Sequence, residues 1–218
     1  MPMATDQPKY ESKVFNFPEL LSALERSGKS VYGSHFKIYE EDHSIIFKLL
    51  VYFLRDEENA TRLGINLKKG ILLTGPVGCG KTSLMNLVRF ITPVEYQHVM
   101  ISTRKISFEF NREGYSIIEK YSTGSFKMIS SEWVPRHYCF DDLGIENNIK
   151  YFGNECNVMA EILLSRYDLF ITHGMFTHIT TNLNSSELEG LYGNRVRSRM
   201  RSMLNLISFG SEVSDKRN

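Results

Sequence analysis

The strongest constraint on how this chain folds is the stretch Gly70-Ile71-Leu72-Leu73-Thr74-Gly75-Pro76-Val77-Gly78-Cys79-Gly80-Lys81-Thr82-Ser83. A short apolar run stops at Gly75, a glycine-rich turn follows, and Lys81 and Thr82 open a segment with helical spacing. Strand, loop and helix in that order, with G-x-x-x-x-G-K-[ST] across the junction, form a phosphate-binding loop. Without a Cβ at Gly75, Gly78 and Gly80, the backbone can wrap phosphate oxygens and point its N–H groups inward. A helix starting near Lys81 offers free N–H groups and its positive dipole end to the same anion. Lys81 then reaches the β- and γ-phosphates and the Thr82 hydroxyl holds Mg2+. The nucleotide-binding candidates are Gly75, Pro76, Val77, Gly78, Cys79, Gly80, Lys81, Thr82 and Ser83.

The remaining elements fit around this loop. Residues 1 to about 14 are polar and expected to be loose. Phe17, Leu20, Leu21 and Leu24 recur at helical spacing in a short helix ended by Gly28. It either packs on the main domain or docks another protein. Residues 31–40 read as an extended linker. Asp42 or Ser44 caps the next helix, whose stripe Ile45, Ile46, Leu49, Leu50, Phe53 and Leu54 carries it to about Asp56. After the loop, a helix runs through Leu84, Leu87 and Val88 and ends at Pro93. Strands are expected at 71–74, 99–102, 136–141, 176–181 and 204–209. Between them lie a helix from Ile106 to Tyr121 interrupted near Gly114, one over 157–169, one opened by the capping-box spacing of Ser186 to Glu189, and one over 195–203. Lys120 to Trp133 reads as irregular. Strands alternating with helices mean an α/β fold with a five-stranded, mainly parallel sheet. Phosphate sites in such sheets lie at the carboxyl ends of the strands. The strand ends at Thr74, Asp141 and Thr181 are therefore expected to meet.

Two of those ends carry the chemistry that a phosphate loop needs. Tyr138-Cys139-Phe140-Asp141-Asp142 is an apolar strand closing on paired carboxylates. A nucleotide triphosphatase needs one acid for the Mg2+ shell and another to orient or deprotonate water. Asp141 suits the first role and Asp142 the second, with Glu146 as the alternative for the water. Thr180-Thr181-Asn182 closes a strand on the same edge, where Asn182 reaches either the γ-phosphate or the lytic water. The basic cluster is Arg195-Val196-Arg197-Ser198-Arg199-Met200-Arg201. On a helix, Arg195 and Arg199 share one face and Arg197 and Arg201 another. The cluster is a solvated face, an arginine finger for a neighbouring subunit's site, or a contact to nucleic-acid phosphates.

Composition limits the alternatives. At 218 residues the chain makes one domain, or one with an appendage, and 42% hydrophobic with 23% charged residues is ordinary for a globular protein. A net charge of +1 requires any basic site to be local. The three cysteines, Cys79, Cys139 and Cys156, have no C-x-x-C spacing, which suits a reduced, cytoplasmic setting. The N-terminus lacks an apolar h-region, no uncharged run approaches a membrane span, and no membrane role is expected. The six histidines lack metal-ligand spacing; His98, His137 and His178 fall on strands and read as core or surface residues.

These residues resemble the AAA+ ATPases, in the branch of the helicase loader DnaC, the initiator DnaA and the transposition helper IstB. Gly75 to Thr82 matches Walker A, Cys139 to Gly144 Walker B, and Thr180 to Leu183 sensor 1. Tyr192 to Met200 resembles the arginine-finger box, and the match spans roughly residues 36–210. The resemblance implies a P-loop NTPase three-layer sandwich of AAA+ type with little or no C-terminal lid. It also implies ATP and Mg2+ as cofactors and Arg199 as the finger, with Arg195 next. Partners would be other copies through arginine-finger contacts, single-stranded DNA, and a replicative helicase or recombinase. The division expected is a tail and short helix over 1–30 and the AAA+ domain over 31–218. Asp142 stands where many AAA+ proteins carry glutamate, so slow hydrolysis is expected. The last strand is followed by under ten residues, too few for a lid, with Arg217 as a stand-in for the lid arginine. The N-terminal segment is shorter than a typical helicase-binding domain. The rivals are a transposition helper, a switch with negligible hydrolysis, and a small-molecule kinase, against which the Asp-Asp pair and Asn182 argue. A GTPase lacks its N-K-x-D motif here.

Overall fold

A computed structural model describes residues 10–146, 149–151, 154–210, 215 and 216. Helix α1, Phe17–Tyr32, starts where the Asn16 side chain accepts the Glu19 N–H. It buries Phe17 and Leu24 in one core with the helices that follow. It does not stop at Gly28. That glycine is buried inside the helix, where a Cβ would lie 2.2 Å from the Phe36 ring. Gly33, at φ +102, ends the helix, so Val31 and Tyr32 are helical and the linker is shorter than expected. The described part of the N-terminal stretch is packed, with the Tyr10 ring 5.0 Å from Phe17 and 5.3 Å from Phe47.

A single 3-10 turn, Glu40–Asp42, leads into α2, His43–Phe53. Asp42 occupies the N-cap position without a side-chain cap bond, because its carboxylate is bonded to the Tyr39 N–H and to Lys216. Helix α3, Glu57–Arg62, is capped by Asp56 and escaped the sequence reading, which ran α2 on to about Asp56. Next come β1, Gly70–Thr74, and α4, Lys81–Val88. Helix α4 ends before Pro93, which precedes a 3-10 turn at Val94–Tyr96. Strand β2, His98–Ser102, is followed by α5, Thr103–Glu113, and α6, Ser116–Tyr121, parted at Gly114 as expected.

The stretch taken as irregular holds an antiparallel hairpin, β3 at Phe126–Ile129 and β4 at Glu132–Pro135. Ser130 and Ser131 make its turn with φ +49 and +71. Hairpin turns with positive φ usually advertise themselves by glycine or asparagine, and two serines do not. Then follow β5, His137–Leu143, a small pair β6, Ile149–Tyr151, and β7, Asn154–Cys156, and α7, Val158–His173. Strand β8, Thr177–Thr181, α8, Ser185–Met203, and β9, Leu204–Ser208, complete the chain. The capping box of α8 is made by Asn184 and Glu187, two residues ahead of the expected start. Gly193, at φ +80 and ψ 162, breaks this helix ahead of the arginines.

The five expected strands form one sheet in the order β2-β5-β8-β1-β9, every pair parallel. Alternate residues face opposite sides. Ile71, Leu73, Cys139 and Ile207 pack with α1, α2 and α4. Tyr138, Phe140, Ile179 and Leu204 pack with α5 to α8. Helices on both faces make the three-layer sandwich that the sequence implied. His98, His137 and His178 are buried at the amino ends of β2, β5 and β8, the end opposite the phosphate loop. Burial pushes the His98 and His137 imidazoles down to about 4.

Candidate functional site

Strand β1 lies beside β8, and β8 beside β5, so the ends at Thr74, Thr181 and Asp141 converge on one edge. The chain leaves β1 at Thr74 and turns through residues 75–80 into α4. Gly80 is the N-cap of α4 at φ +95, ψ 10, a left-handed geometry that glycine adopts at no steric cost. Gly78 is left-handed too, φ +81, and a Cβ there would meet the Asp215 carboxylate.

Lys81 is buried, 4% exposed, and donates to Gly75 O at 2.8 Å and Pro76 O at 2.7 Å. Its third bond goes to Asn182 Oδ1. Thr82 Oγ1 donates to Asp141 Oδ1 at 2.9 Å, and Thr180 Oγ1 donates to the same oxygen at 2.6 Å. Burial raises the Asp141 pKa above the ordinary carboxylate value, and neighbouring Asp142 adds to it, while the Thr180 and Thr82 hydroxyls and Lys81 oppose. The loop lysine, the strand-end acid and the strand-end amide therefore form one cluster.

Asp142 lies within β5 rather than after it. Its φ is +57, and the pairing of β5 with β8 shifts between Phe140 and Leu143. It lines the same cavity as the loop. Glu146 does not line that cavity: Tyr192 OH and the Gly144 N–H, at 2.9 Å, hold its carboxylate instead. None of the arginines of α8 lines it either. Arg195 and Arg201 are exposed, Arg197 is bonded to Glu189 and Ser185, and the Arg199 guanidinium sits 4.3 Å from the Tyr167 ring centre.

The cavity measures about 440 Å3, within the range of small-molecule sites. Residues 77–84 line it together with Asp142 and Asn182. A second part of the lining carries no sequence signal: Tyr32, residues 35–39 and Asp42. No motif marks that segment, because it joins the site by wrapping the loop in space. Lys216 also lines the cavity; its amide donates to Gly78 O at 3.1 Å and its ammonium pairs with Asp42 and with Glu41 at 3.6 Å. Arg217, the expected stand-in for a lid arginine, lies outside the described residues. Thr82 and Asp141 together offer a hydroxyl and a carboxylate, hard oxygens that suit Mg2+, which takes few protein ligands and completes its shell with phosphate and water.

No family model matches the chain. Over 77 residues, 35% of its length, it is 35% identical to an ATP-dependent zinc metalloprotease FtsH of Halothermothrix orenii, and over 39 residues 56% identical to a YME1 homologue of Schizosaccharomyces pombe. These matches span 12% and 6% of those relatives. Solved structures align far more completely. The DnaC helicase loader aligns with a TM-score of 0.51 at 14% identity, covering 79% of this chain and 92% of that one. A putative primosome component from Streptococcus pyogenes serotype M3 aligns with 0.53 at 14% identity, covering 87% and 91%. DnaI aligns with 0.51 at 16% identity, covering 81% and 89%. Sheet order, loop and alignments agree: the chain has the P-loop NTPase fold of AAA+ type, the fold shared with these solved structures.

Proposed function

We propose that this chain is a Mg2+-dependent ATPase that acts in DNA replication as a helicase-loader-like protein, on single-stranded DNA or a helicase partner. The observation that carries the reading is the joining of Lys81 to Asn182, both lining one cavity, and of Thr82, which lines it too, to the buried Asp141. Lys81, held by two loop carbonyls, binds the β- and γ-phosphates, and Thr82 and Asp141 would hold Mg2+, which would supply positive charge to offset that of the phosphate oxygens. Asp142 accepts a proton from the attacking water as its oxygen bonds to the γ-phosphorus and the bond to the β–γ bridging oxygen breaks. Asn182 orients the water or the γ-phosphate. Arg199 of a neighbouring copy, with Arg195 beside it, completes the site, so ATP favours assembly. In this reading residues 31–218 are the nucleotide-binding unit and α1 its appendage.

The DNA arm of the reading draws support from α5. Arg104, Phe108 and Arg112 are exposed at i, i+4 and i+8 on one face, and the Arg104 guanidinium lies 5.4 Å from the Phe108 ring centre. Cations interleaved with an exposed ring suit phosphates and stacked bases. A switch that binds ATP and barely hydrolyses it is the second reading, favoured by the short, strained Asp142. Turnover and sedimentation of the pure chain, with ATP and single-stranded DNA each added or withheld, decide between them. Turnover and ATP-dependent assembly support the ATPase, while tight ATP binding without phosphate release supports the switch.

A further inference from the structure

Asp142 has a backbone that something must hold in place. Its φ of +57 lies in the left-handed region, which Asp enters more readily than most residues with a Cβ but which breaks the extended course of a strand. Two threonine hydroxyls grip it. Thr180 Oγ1 accepts the Asp142 N–H at 2.9 Å, and Thr103 Oγ1 donates to Asp142 O at 2.9 Å. Thr180 has a second task, because its own proton goes to Asp141 Oδ1 at 2.6 Å. A hydroxyl has one proton to give and lone pairs to accept with. One oxygen atom therefore ties both acids together in a single defined sense. Both threonines are fully buried, 0% exposed, so water does not substitute for either bond.

We infer that Thr180 is the positioning residue for Asp142. Its hydroxyl locks the Asp141–Asp142 peptide so that one carboxylate meets Thr82 while the next is turned into the phosphate cavity. An ordinary extended residue would follow the strand alternation and point its side chain to the face opposite Asp141. The left-handed turn, with its shifted pairing to β8, is what brings both acids to one edge. Thr103, at the start of α5, closes the clamp from the carbonyl side. The inference rests on the reading of Asp142 as the base.

Thr180→Val keeps the branched shape and removes the hydroxyl; Thr180→Ser restores it. Thr180→Val is expected to lower kcat at least tenfold while KM and the Kd for a fluorescent ATP analogue stay within threefold. Thr180→Ser should return kcat to within threefold of the parent. In an Asp142→Asn background the Thr180→Val loss should shrink to the share owed to the lost bond to Asp141, because residues acting as a unit are not additive. An unchanged kcat, or an equal loss in the Asp142→Asn background, overturns the inference. A crystal structure supplies a readout apart from activity: in Thr180→Val, Asp142 should leave the left-handed region and withdraw from the cavity. Asp142 remaining there also overturns it. Should Thr180→Val not fold, Thr180→Cys, close in shape and weak in hydrogen bonding, carries the same expectations. A parent chain that binds ATP without hydrolysing it counts against the ATPase reading alone, and the crystal structure still decides the role of Thr180.

Discussion

Lys81 has three ammonium protons, and three oxygens accept them: the carbonyls of Gly75 and Pro76 and the side-chain amide of Asn182. Two acceptors are backbone of the loop and cannot leave without remodelling it. Asn182 is a side chain, so in the proposed function an arriving phosphate takes its place on Lys81 and frees the amide for the substrate. Asn182→Ala is accordingly expected to leave ATP affinity within about threefold and to lower turnover on the order of 10²-fold, the scale of one transition-state donor. Equilibrium binding beside single-turnover hydrolysis checks this, and an equal loss in both measurements contradicts it. Arg199 differs in kind, because it stacks on Tyr167 and does not line its own chain's cavity. Arg199→Ala should keep nucleotide affinity and lose ATPase, by about 10³-fold for a finger supplied in trans. A variant that hydrolyses ATP at the parent rate removes the finger assignment.

At the scale of elements, the N-terminal helix and the nucleotide cavity are mechanically joined. Gly28 of α1 faces Phe36, and Phe36 lines the cavity. Gly28→Ala places a methyl group 2.2 Å from that ring. The expected cost is about 1–3 kcal/mol of overpacking, read as a lower urea midpoint, together with weaker ATP binding as the ring shifts. Unaltered binding would separate α1 from the site. In the proposed function, helix α5 offers the face that meets single-stranded DNA. Phe108 is 61% exposed, so Phe108→Ala should leave the thermal midpoint within about 1 °C, as surface changes do. The same change should weaken single-stranded DNA binding by about 1–3 kcal/mol, the worth of one stacked base. Fluorescence anisotropy with a short oligonucleotide measures it, and unchanged affinity excludes this face.

For the whole molecule, the far end of the sheet sets the acid limit of stability. His98 and His137 are held neutral by burial, with their pKa values pushed down to about 4 from the ordinary 6.5. Between those values the unfolded chain binds more protons than the folded one, so stability rises with pH. It is therefore fully present above about pH 6.5 and is lost as the pH falls through 4. Each histidine is worth on the order of 3 kcal/mol over that window. Urea unfolding at steps from pH 7 to 4 should show the decline, and a flat profile would mean these rings already titrate normally in the fold.

What local chemistry can specify was legible in the order of residues alone. Glycines at positive φ, a lysine and a hydroxyl at fixed spacing, and five apolar runs with helical stretches between them were enough for the loop, the sheet strands and the pairing of Lys81 with the strand ends. Each of those signals lies within a dozen residues of chain, where periodicity and backbone preference act directly. The remaining features came from long-range packing. Gly28 reads as a stop until Phe36 is seen against it, and the Ser130–Ser131 turn lacks the glycine or asparagine that marks a positive-φ hairpin. The wall at 35–39, the placing of Lys216, the withdrawal of Glu146 to Tyr192 and the grip of Thr180 on two acids all depend on residues far apart in the chain. Contacts of that kind are made by packing, and packing leaves no periodic trace in the order of residues.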